Sequence, residues 1–533
     1  MNFAILKIFR KADVFIFILF LAVTVASFLF LKNSEDHEAR LLVTSGKKEF
    51  IYPLEKNRVS IYCCGVTPYN EPHIGNARPF VTWDVIRRLF AKKGYAVRYI
   101  QNFTDVDDKI IAAAKHEQVT WREIADRYIE SYFRAMDALN VKRADVYPRV
   151  SETMPDIINM IQTLIDKGFA YAVFNGDVYF SVEKDEGYGK LSGRKLDDNE
   201  AGARVEIDGR KKHPMDFALW KAAKPGEPAW PSPWGNGRPG WHIECSAMSL
   251  KYLGEKFDFH GGGSDLIFPH HENEIAQSQC AIGDENSFAQ YWLHNGFITI
   301  DNEKMSKSAG NFFTVKDILD KYAGEIVRFF LLQTHYRSPL DFSEERIKEA
   351  QSAYSRLETS KDYLFDLIKR SDTVDISHGD RAAAAITVSK AGGLVEMAER
   401  LLTNFYDALD DDFNTALAIS HMFELSKEIN IYYHDTINNP APISDIDAKI
   451  IYRVRDVYME MAGIIGIFEK AVRAVSDTAE FKLIDDLMEI IIANRQAARE
   501  AKNWEVADDI RDRLKAAGII LEDTPQGVRW KRS

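Results

Sequence analysis

At 533 residues the chain is too long for one hydrophobic core, and two to four domains are expected. With 46% apolar and 28% charged residues it has the balance of a soluble globular protein, and a net charge of −12 argues against a surface coated in basic charge while leaving room for a local basic track to nucleic acid. Four cysteines are too sparse for a disulfide framework and fit a reducing compartment with a metal site better.

The chain opens against that picture. Val14 to Leu31 is an uncharged apolar run preceded by Lys7, Arg10 and Lys11, long enough for a short membrane helix or a signal core. Three readings stand for residues 1–41: a misassigned start, the true one lying near Leu41 to Val43; an inner-face membrane anchor; or a secretion signal. The basic flank would place the rest of the chain outside, where thiols meant for a metal risk oxidation. A cytoplasmic protein starting near Leu42 is therefore expected, with the anchor as runner-up.

Residues 42–145 read as one half of a nucleotide fold. The apolar runs Val59–Tyr62 and Ala96–Ile100 are strand-like. Between them Pro72-His73-Ile74-Gly75-Asn76 leads into the helical pattern Val81 to Leu89, giving strand, loop, helix start. A His beside a Gly at a helix N-terminus makes an anion site from backbone N–H groups and a donor ring. Residues from 146 to about 240 break the pattern and read as an insertion ending in the loop chemistry of Lys224 to Gly235. The second half resumes near Gly240 and runs to about Phe342. From 343 to 475 the spacing is helical, as in Glu344 to Leu357 and Lys390 to Leu409, with Asp412-Phe413-Asn414-Thr415 as a helix start. Ser371 to Asp380 and Asn438 to Pro442 read as linkers. Residues 476–533 form a small separate unit: helices at Phe481 to Ala501 and Trp504 to Ala517, then a strand pair around Ile519–Leu521 and Val528–Trp530.

The second half holds the remaining chemistry. Lys304-Met305-Ser306-Lys307-Ser308 offers two cations and two hydroxyls on a loop suited to clamping phosphates. In His260-Gly261-Gly262-Gly263-Ser264-Asp265 the glycines allow close backbone approach to a ligand, and Asp265 can accept from a hydroxyl or an ammonium. Cys63 and Cys64, adjacent on a strand, face opposite sides, so only one can join Cys245 as a metal ligand. Either His270 or His271 can share a helix face with Glu274. Two thiolates, an imidazole and a carboxylate satisfy zinc. Cys280 reads as a buried small apolar residue. The run from His271 starts like a zinc-protease helix, but Ile275 stands where the second His is required, which excludes a peptidase.

The His73 and Lys304–Ser308 signatures, in this order, resemble those of class I aminoacyl-tRNA synthetases. With the metal set they resemble cysteinyl-tRNA synthetases over nearly the whole chain from about residue 42, as do Asn102-Phe103-Thr104-Asp105-Val106-Asp107-Asp108-Lys109, the glycine run and Asp412–Thr415. The resemblance implies a Rossmann-like α/β catalytic core (42–342) with a connective insertion at about 146–240. An α-helical stem and anticodon-side bundle (343–475) and a small C-terminal α+β tRNA-binding domain (476–533) would follow. It implies a monomer that takes ATP with Mg2+, L-cysteine and tRNA(Cys). ATP would meet His73, Gly75, Asn76, Gly262, Asp265, Lys304, Ser306 and Lys307, of which His73, Lys304 and Lys307 are catalytic. Thr104 and Trp241 match positions lining the substrate pocket. The resemblance selects Cys64, Cys245, His270 and Glu274 as ligands of one Zn2+. Asn76 departs from the commonest signature, which has a second His there; its amide donates but carries no charge.

Two rivals stand beside this reading. A cysteine ligase of the same fold that joins cysteine to a small amine would keep both nucleotide motifs and the zinc set, but would not need the last roughly 190 residues. A membrane-tethered, non-catalytic RNA-binding protein built on a decayed synthetase fits poorly with an intact lysine loop and four metal ligands.

Overall fold

The computed structural model describes residues 40–42, 48–194, 209–300, 303–304, 313–372, 390–438 and 443–469, and in the C-terminal part 491–492, 495–496, 499, 504–516, 519–524 and 527–532. The leader at 1–39, the linker at 373–389 and most of the proposed helix 481–501 lie outside the described residues. No helix among the described residues is long and apolar enough to cross a membrane.

An antiparallel pair, β1 (Arg40–Leu42) and β2 (Lys48–Phe50), comes first in the described chain. Four parallel strands form the central sheet: β3 (Arg58–Val66), β4 (Ala96–Phe103), β9 (Lys256–Gly263) and β10 (Phe288–Asn295), in the order β10-β9-β3-β4. Ile61, Tyr62 and Cys63 are buried in succession. A strand covered on both faces needs such a continuous apolar run rather than alternation. From β3 the chain crosses through helix α1 (Ile74–Lys92) to β4 on one side, while β9 and β10 build out the other. The strand order thus reverses beside β3, and the crevice beyond the carboxyl ends of β3 and β9 is where such a sheet binds ligands. Close approach is enforced there: a Cβ on Gly65 would lie 1.6 Å from the carbonyl oxygen of Asn102.

The insertion is an antiparallel sheet in sequence order, β5 (Ala170–Ala172), β6 (Val178–Phe180), β7 (Phe217–Ala222) and β8 (Gly237–Pro239). It shares its core with the catalytic sheet: Phe180, Leu219 and Trp220 pack in one buried cluster with Tyr62, Ile100, Ile243 and Phe257. Buried Glu272 ties the two together, its carboxylate accepting from the backbone N–H groups of Gly189 (3.1 Å) and Ser192 (2.7 Å).

Beyond Phe342 come four long helices: Glu344–Asp372, Lys390–Asp410, Thr415–Asn438 and Asp445–Ile465. The second buries Leu394, Ala398, Leu401, Phe405 and Leu409, the three- and four-residue spacing of a core-facing helix. The start read at Asp412–Thr415 is a joint as well. Asp412 and Phe413 both have positive φ, and the Arg337 guanidinium donates to both Asp412 oxygens at 2.8 and 2.9 Å. Phe413 packs against Phe90 and Phe259 of the catalytic core. Residues 468–533 form a separate compact unit, with a helix at Trp504–Ala516 and an antiparallel hairpin of Ile519–Thr524 and Gly527–Arg532.

Candidate active site and metal centre

A cavity of about 360 Å3 opens at the strand-order reversal. Cys64 and Gly65 line it from the end of β3, Gly262, Gly263 and Asp265 from the end of β9, and His73, Gly75 and Asn76 from the start of α1. His73 is the N-cap of that helix. Its Nδ1 accepts from the Asn76 N–H (3.2 Å) while Asn76 Oδ1 accepts from the His73 N–H (3.2 Å), a reciprocal capping box. With Nδ1 accepting, a neutral ring carries its proton on Nε2, so His73 is held as a donor. Asn76 thus spends its carbonyl oxygen on the helix start.

The residues that flank the lysine loop are both held at this cavity. Upstream, Glu303–Lys304 pairs antiparallel with Ile298–Ile300, the strand that follows the cavity-lining Gly296 and Phe297. Downstream, Thr314 bridges to His73 and the Val315 N–H donates to the carbonyl of Pro72 at 2.8 Å. Ser306, Lys307 and the Lys304 side chain lie outside the described residues, but the residues on either side of 305–312 are attached to the wall and the edge of one site.

Beneath the cavity Cys64, Cys245, His270 and Glu274 converge, each buried, with their ligand atoms all within 4.8 Å of one another. Cys64 Sγ lies 3.7 Å from Cys245 Sγ and 3.5 Å from Glu274 Oε1, which is 3.0 Å from His270 Nε2. His270 lies in a wide turn at Ile267–His271, Glu274 in the first turn of the helix Glu272–Ile282, and Cys245 comes from the helix Trp241–Leu253. Cys63, on the other face of β3, is fully buried in the core, and Cys280 is buried as well. A second grouping, Cys64, His260, His271 and Glu274, is equally close. It offers one thiol where the first offers two, and His260 Nε2 is already committed to Glu274 Oε2 at 2.8 Å. The two-thiol set is the better zinc site.

The electrostatics suit a cation. Hydrogen bonding from Cys64, with help from His270, brings the Cys245 thiol down to about 6 against its burial, whereas burial holds Cys64 well above the usual thiol range. Burial opposes ionisation of Glu274, yet the His260 and His270 charges hold its carboxyl at about 2. Glu274 and Cys245 in turn raise His270 to about 10 despite burial. The positive charge that the two anions gather is the His270 proton. A divalent cation would replace that proton and the Cys64 proton, and His271 Nε2, buried without a hydrogen-bond partner among the described residues, stands 4.0 Å from Glu274 Oε1.

Among the residues read from sequence, Gly75, Asn76, Gly262, Asp265 and His73 meet at the cavity. Thr104 is buried behind it, bonded to Asn102 (3.4 Å). The half-exposed Trp241 ring covers His270 at 4.3 Å between centroids. Sequence reasoning missed His242 and His294, which pair with the two candidate histidines His270 and His271. His242 Nδ1 lies 2.9 Å from His270 Nδ1, and His271 Nδ1 lies 2.8 Å from His294 Nε2. Burial pushes His242 and His271 far below the ordinary imidazole value and His294 down to about 3. Their signal in the sequence is slight: isolated histidines beside aromatic or glycine runs, brought together only by the fold. Glu244, next to Cys245, is a further buried group, its carboxyl pushed well up by burial.

Family models match three parts of the chain. Residues 50–352 fit the "tRNA synthetases class I (C) catalytic domain", 404–469 the "DALR domain", and 485–530 the "Cysteinyl-tRNA ligase anticodon binding domain". A protein named cysteine–tRNA ligase from Pelotomaculum thermopropionicum is 53% identical over 492 residues, covering 91% of this chain and 98% of its own length. Proteins of the same name from Desulforamulus reducens and Heliobacterium modesticaldum are each 50% identical, over 91% and 92% of this chain and 98% of their own lengths. The methionyl-tRNA synthetase of Mycobacterium tuberculosis, solved with methionyl-adenylate, superposes with a TM-score of 0.60 at 17% identity, covering 79% of this chain and 93% of its own. That likeness is one of fold.

Proposed function

The chain belongs to the cysteine–tRNA ligases, a family of class I aminoacyl-tRNA synthetases, and we propose that its cavity joins L-cysteine to ATP, with the candidate metal ligands Cys64, Cys245, His270 and Glu274 on the side of the thiol and His73 on the side of the triphosphate. The overall reaction is ATP-dependent activation of cysteine to cysteinyl-adenylate, then transfer to the 3′ end of tRNA(Cys). The observation that carries the division of roles is that Cys64 and His73 line the same cavity, the one belonging to the metal set and the other to the phosphate-binding helix start.

In activation the cysteine carboxylate attacks the α-phosphorus of ATP, and the bond to the β-phosphate oxygen breaks to release pyrophosphate. The carboxylate is already an anion, so no general base is needed and the protein supplies position and charge. His73, donating from Nε2, and the backbone N–H groups at the start of α1 take phosphate oxygens. Lys304 and Lys307 close over the β- and γ-phosphates, with Ser306 beside them, and Mg2+ accompanies the nucleotide. Their contacts form mainly as charge moves toward pyrophosphate, which lowers the barrier rather than merely tightening binding. Gly262 lets the backbone approach the nucleoside, and Asp265 accepts from a hydroxyl or the substrate ammonium. Cys64, Cys245, His270 and Glu274 would hold zinc, which supplies a Lewis acid that takes a substrate thiol as thiolate and not an alcohol. Trp241 shields His270 from solvent, and Thr104 supports the wall through Asn102.

Residues 1–41 add nothing to this chemistry on our reading, and the enzyme works in the cytoplasm beside its substrates. In support, relatives are matched over 98% of their own length by 91% of this chain. The test is cysteine-dependent exchange of pyrophosphate into ATP, run on the full chain and on a chain lacking residues 1–41. Both are expected to exchange with cysteine and far less with serine. Exchange driven equally by serine or valine overturns the substrate, and loss of activity in the shorter chain overturns the dispensable leader.

A further inference from the structure

The rim of the cavity carries a cation that neither the nucleotide nor the metal roles use. Lys109 lines the cavity yet is solvent-exposed, so its side chain sits at the mouth rather than in the depth. Its ammonium lies over the ring of Tyr69, 5.3 Å from the centroid, and no carboxylate partners it among the described residues. An aromatic face holds a cation in place without cancelling its charge, leaving it available to an anion. Glu71, the nearby acidic residue of the same wall, is bonded instead to Ser131.

Lys109 also stands at a junction. It follows Asp107, the N-cap of the helix Asp108–Glu117, and Asp108, which pairs with Lys221 (3.2 Å) and Arg238 of the insertion sheet. This helix springs from β4, at the edge of the sheet, and not from the side of β9 that carries Gly262 and Asp265. The triphosphate already has His73, the start of α1 and the lysine loop. What lacks a counter-charge is the second substrate, a polyanion whose terminal ribose must reach the adenylate from outside. A rim cation tied to the insertion meets that strand at the entrance.

We propose that Lys109 is a binding residue of the transfer step, its ammonium taking the phosphodiester that precedes the 3′-terminal adenosine of the tRNA. In that step a ribose hydroxyl attacks the carbonyl carbon of cysteinyl-adenylate, the ester forms, and AMP leaves with the bonding pair, its phosphate taking up the hydroxyl proton. Lys109 fixes the entering strand and takes no part in bond making. The inference rests on the cysteine–tRNA ligase reading, and the two can fail separately.

The test compares Lys109→Met and Lys109→Arg with the parent in the full chain. It measures cysteine-dependent pyrophosphate exchange and single-turnover transfer from preformed adenylate to tRNA(Cys). Transfer by Lys109→Met is expected to fall about tenfold more than exchange, the usual worth of one charge-assisted contact, and Lys109→Arg should recover most of it. A tRNA whose last linkage is an uncharged methylphosphonate should cost the parent a similar factor and cost Lys109→Met nothing further. Equal losses in exchange and transfer would assign Lys109 to ATP or cysteine and overturn the proposal. So would no loss at all, or a full methylphosphonate penalty in Lys109→Met. A parent chain with no cysteine-dependent exchange fails the family reading instead.

Discussion

Serine and cysteine differ by one atom, and a pocket that measures only shape separates them poorly. The burden falls on the sulfur-binding set, and within it on Cys245, the thiol most ready to ionise. Cys245→Ser replaces a thiolate donor by a neutral alcohol at the same position. Zinc affinity should drop at least about tenfold, read as metal per chain after dialysis against buffered zinc, and the ratio of cysteine- to serine-driven exchange should shrink. Stoichiometric zinc with unaltered selectivity would move the site to the single-thiol grouping of Cys64, His260, His271 and Glu274. The residue types that bind zinc narrow the candidates in the chain to Cys63 or Cys64, Cys245, His270 or His271 and Glu274, and the set that the resemblance selects is one of two that converge in the structure. The histidines behind them could not be read from the chain, since His242, His260 and His294 gain their roles from partners on other elements. Arg78 was overlooked for the same reason. It is almost fully buried on α1 and donates to the carbonyls of Gly296 (2.8 Å) and His335 (3.1 Å), so it braces the cavity wall without any local signature.

At the scale of elements, α1 does two jobs. Its first turn presents His73 to the cavity, and its middle anchors the bundle through a buried charge cluster. Asp84 accepts from Arg88 and Arg328, each at 2.7 Å, and from the Lys142 N–H at 2.9 Å. Arg328 also donates to the carbonyls of Ile465 (2.7 Å) and Asn140 (2.8 Å), and Arg88 to that of Gly463 (3.1 Å), joining α1 to the end of the last bundle helix. Burial works against the Asp84 charge, but Arg328 and Arg88 hold its carboxyl below the usual carboxylate range. Asp84→Asn keeps the shape and leaves two buried guanidinium groups short of a counter-charge, so stability should fall by about 3 kcal/mol, measured from denaturant midpoints. A depressed folded pKa stabilises above the unfolded value and loses that contribution as pH falls through it. The parent should therefore lose part of its advantage over Asp84→Asn below about pH 4. A neutral substitution that left the midpoint unchanged would mean that the cluster adds nothing to the joint. The apolar periodicity of α1 and of the bundle helices is plain in the sequence. The joint is not, because beyond Asp84 its acceptors are backbone carbonyls that any sequence would supply.

At the scale of the molecule, the two half-reactions need different amounts of chain. Everything proposed for activation lies between Cys64 and Lys307, whereas residues 468–533 form a compact unit of their own. Family matching places an anticodon-binding domain at 485–530. Its strand Gly527–Arg532 has the sequence Gly-Val-Arg-Trp-Lys-Arg, basic residues next to an aromatic of a kind that can stack on a base. The helix before it adds Arg513 and Lys515, with Arg511 already paired to Asp508 (3.2 Å). Phosphate contacts hold a tRNA in register while stacked, splayed bases identify it, so this unit should govern tRNA capture and leave the chemistry of cysteine alone. Removing residues 480–533 should leave cysteine-dependent pyrophosphate exchange within about twofold, because no group of the cavity is lost. Losing one stacked base and its neighbouring charges is worth about 1–3 kcal/mol, so the KM for tRNA(Cys) should rise by one to two orders of magnitude. The rise should shrink at high salt, where the phosphate contacts of the intact enzyme weaken too. Aminoacylation at limiting tRNA is the deciding measurement. Equal rates from the shortened and complete chains would mean that recognition resides in the helical bundle, and that the basic hairpin is a solvated tail.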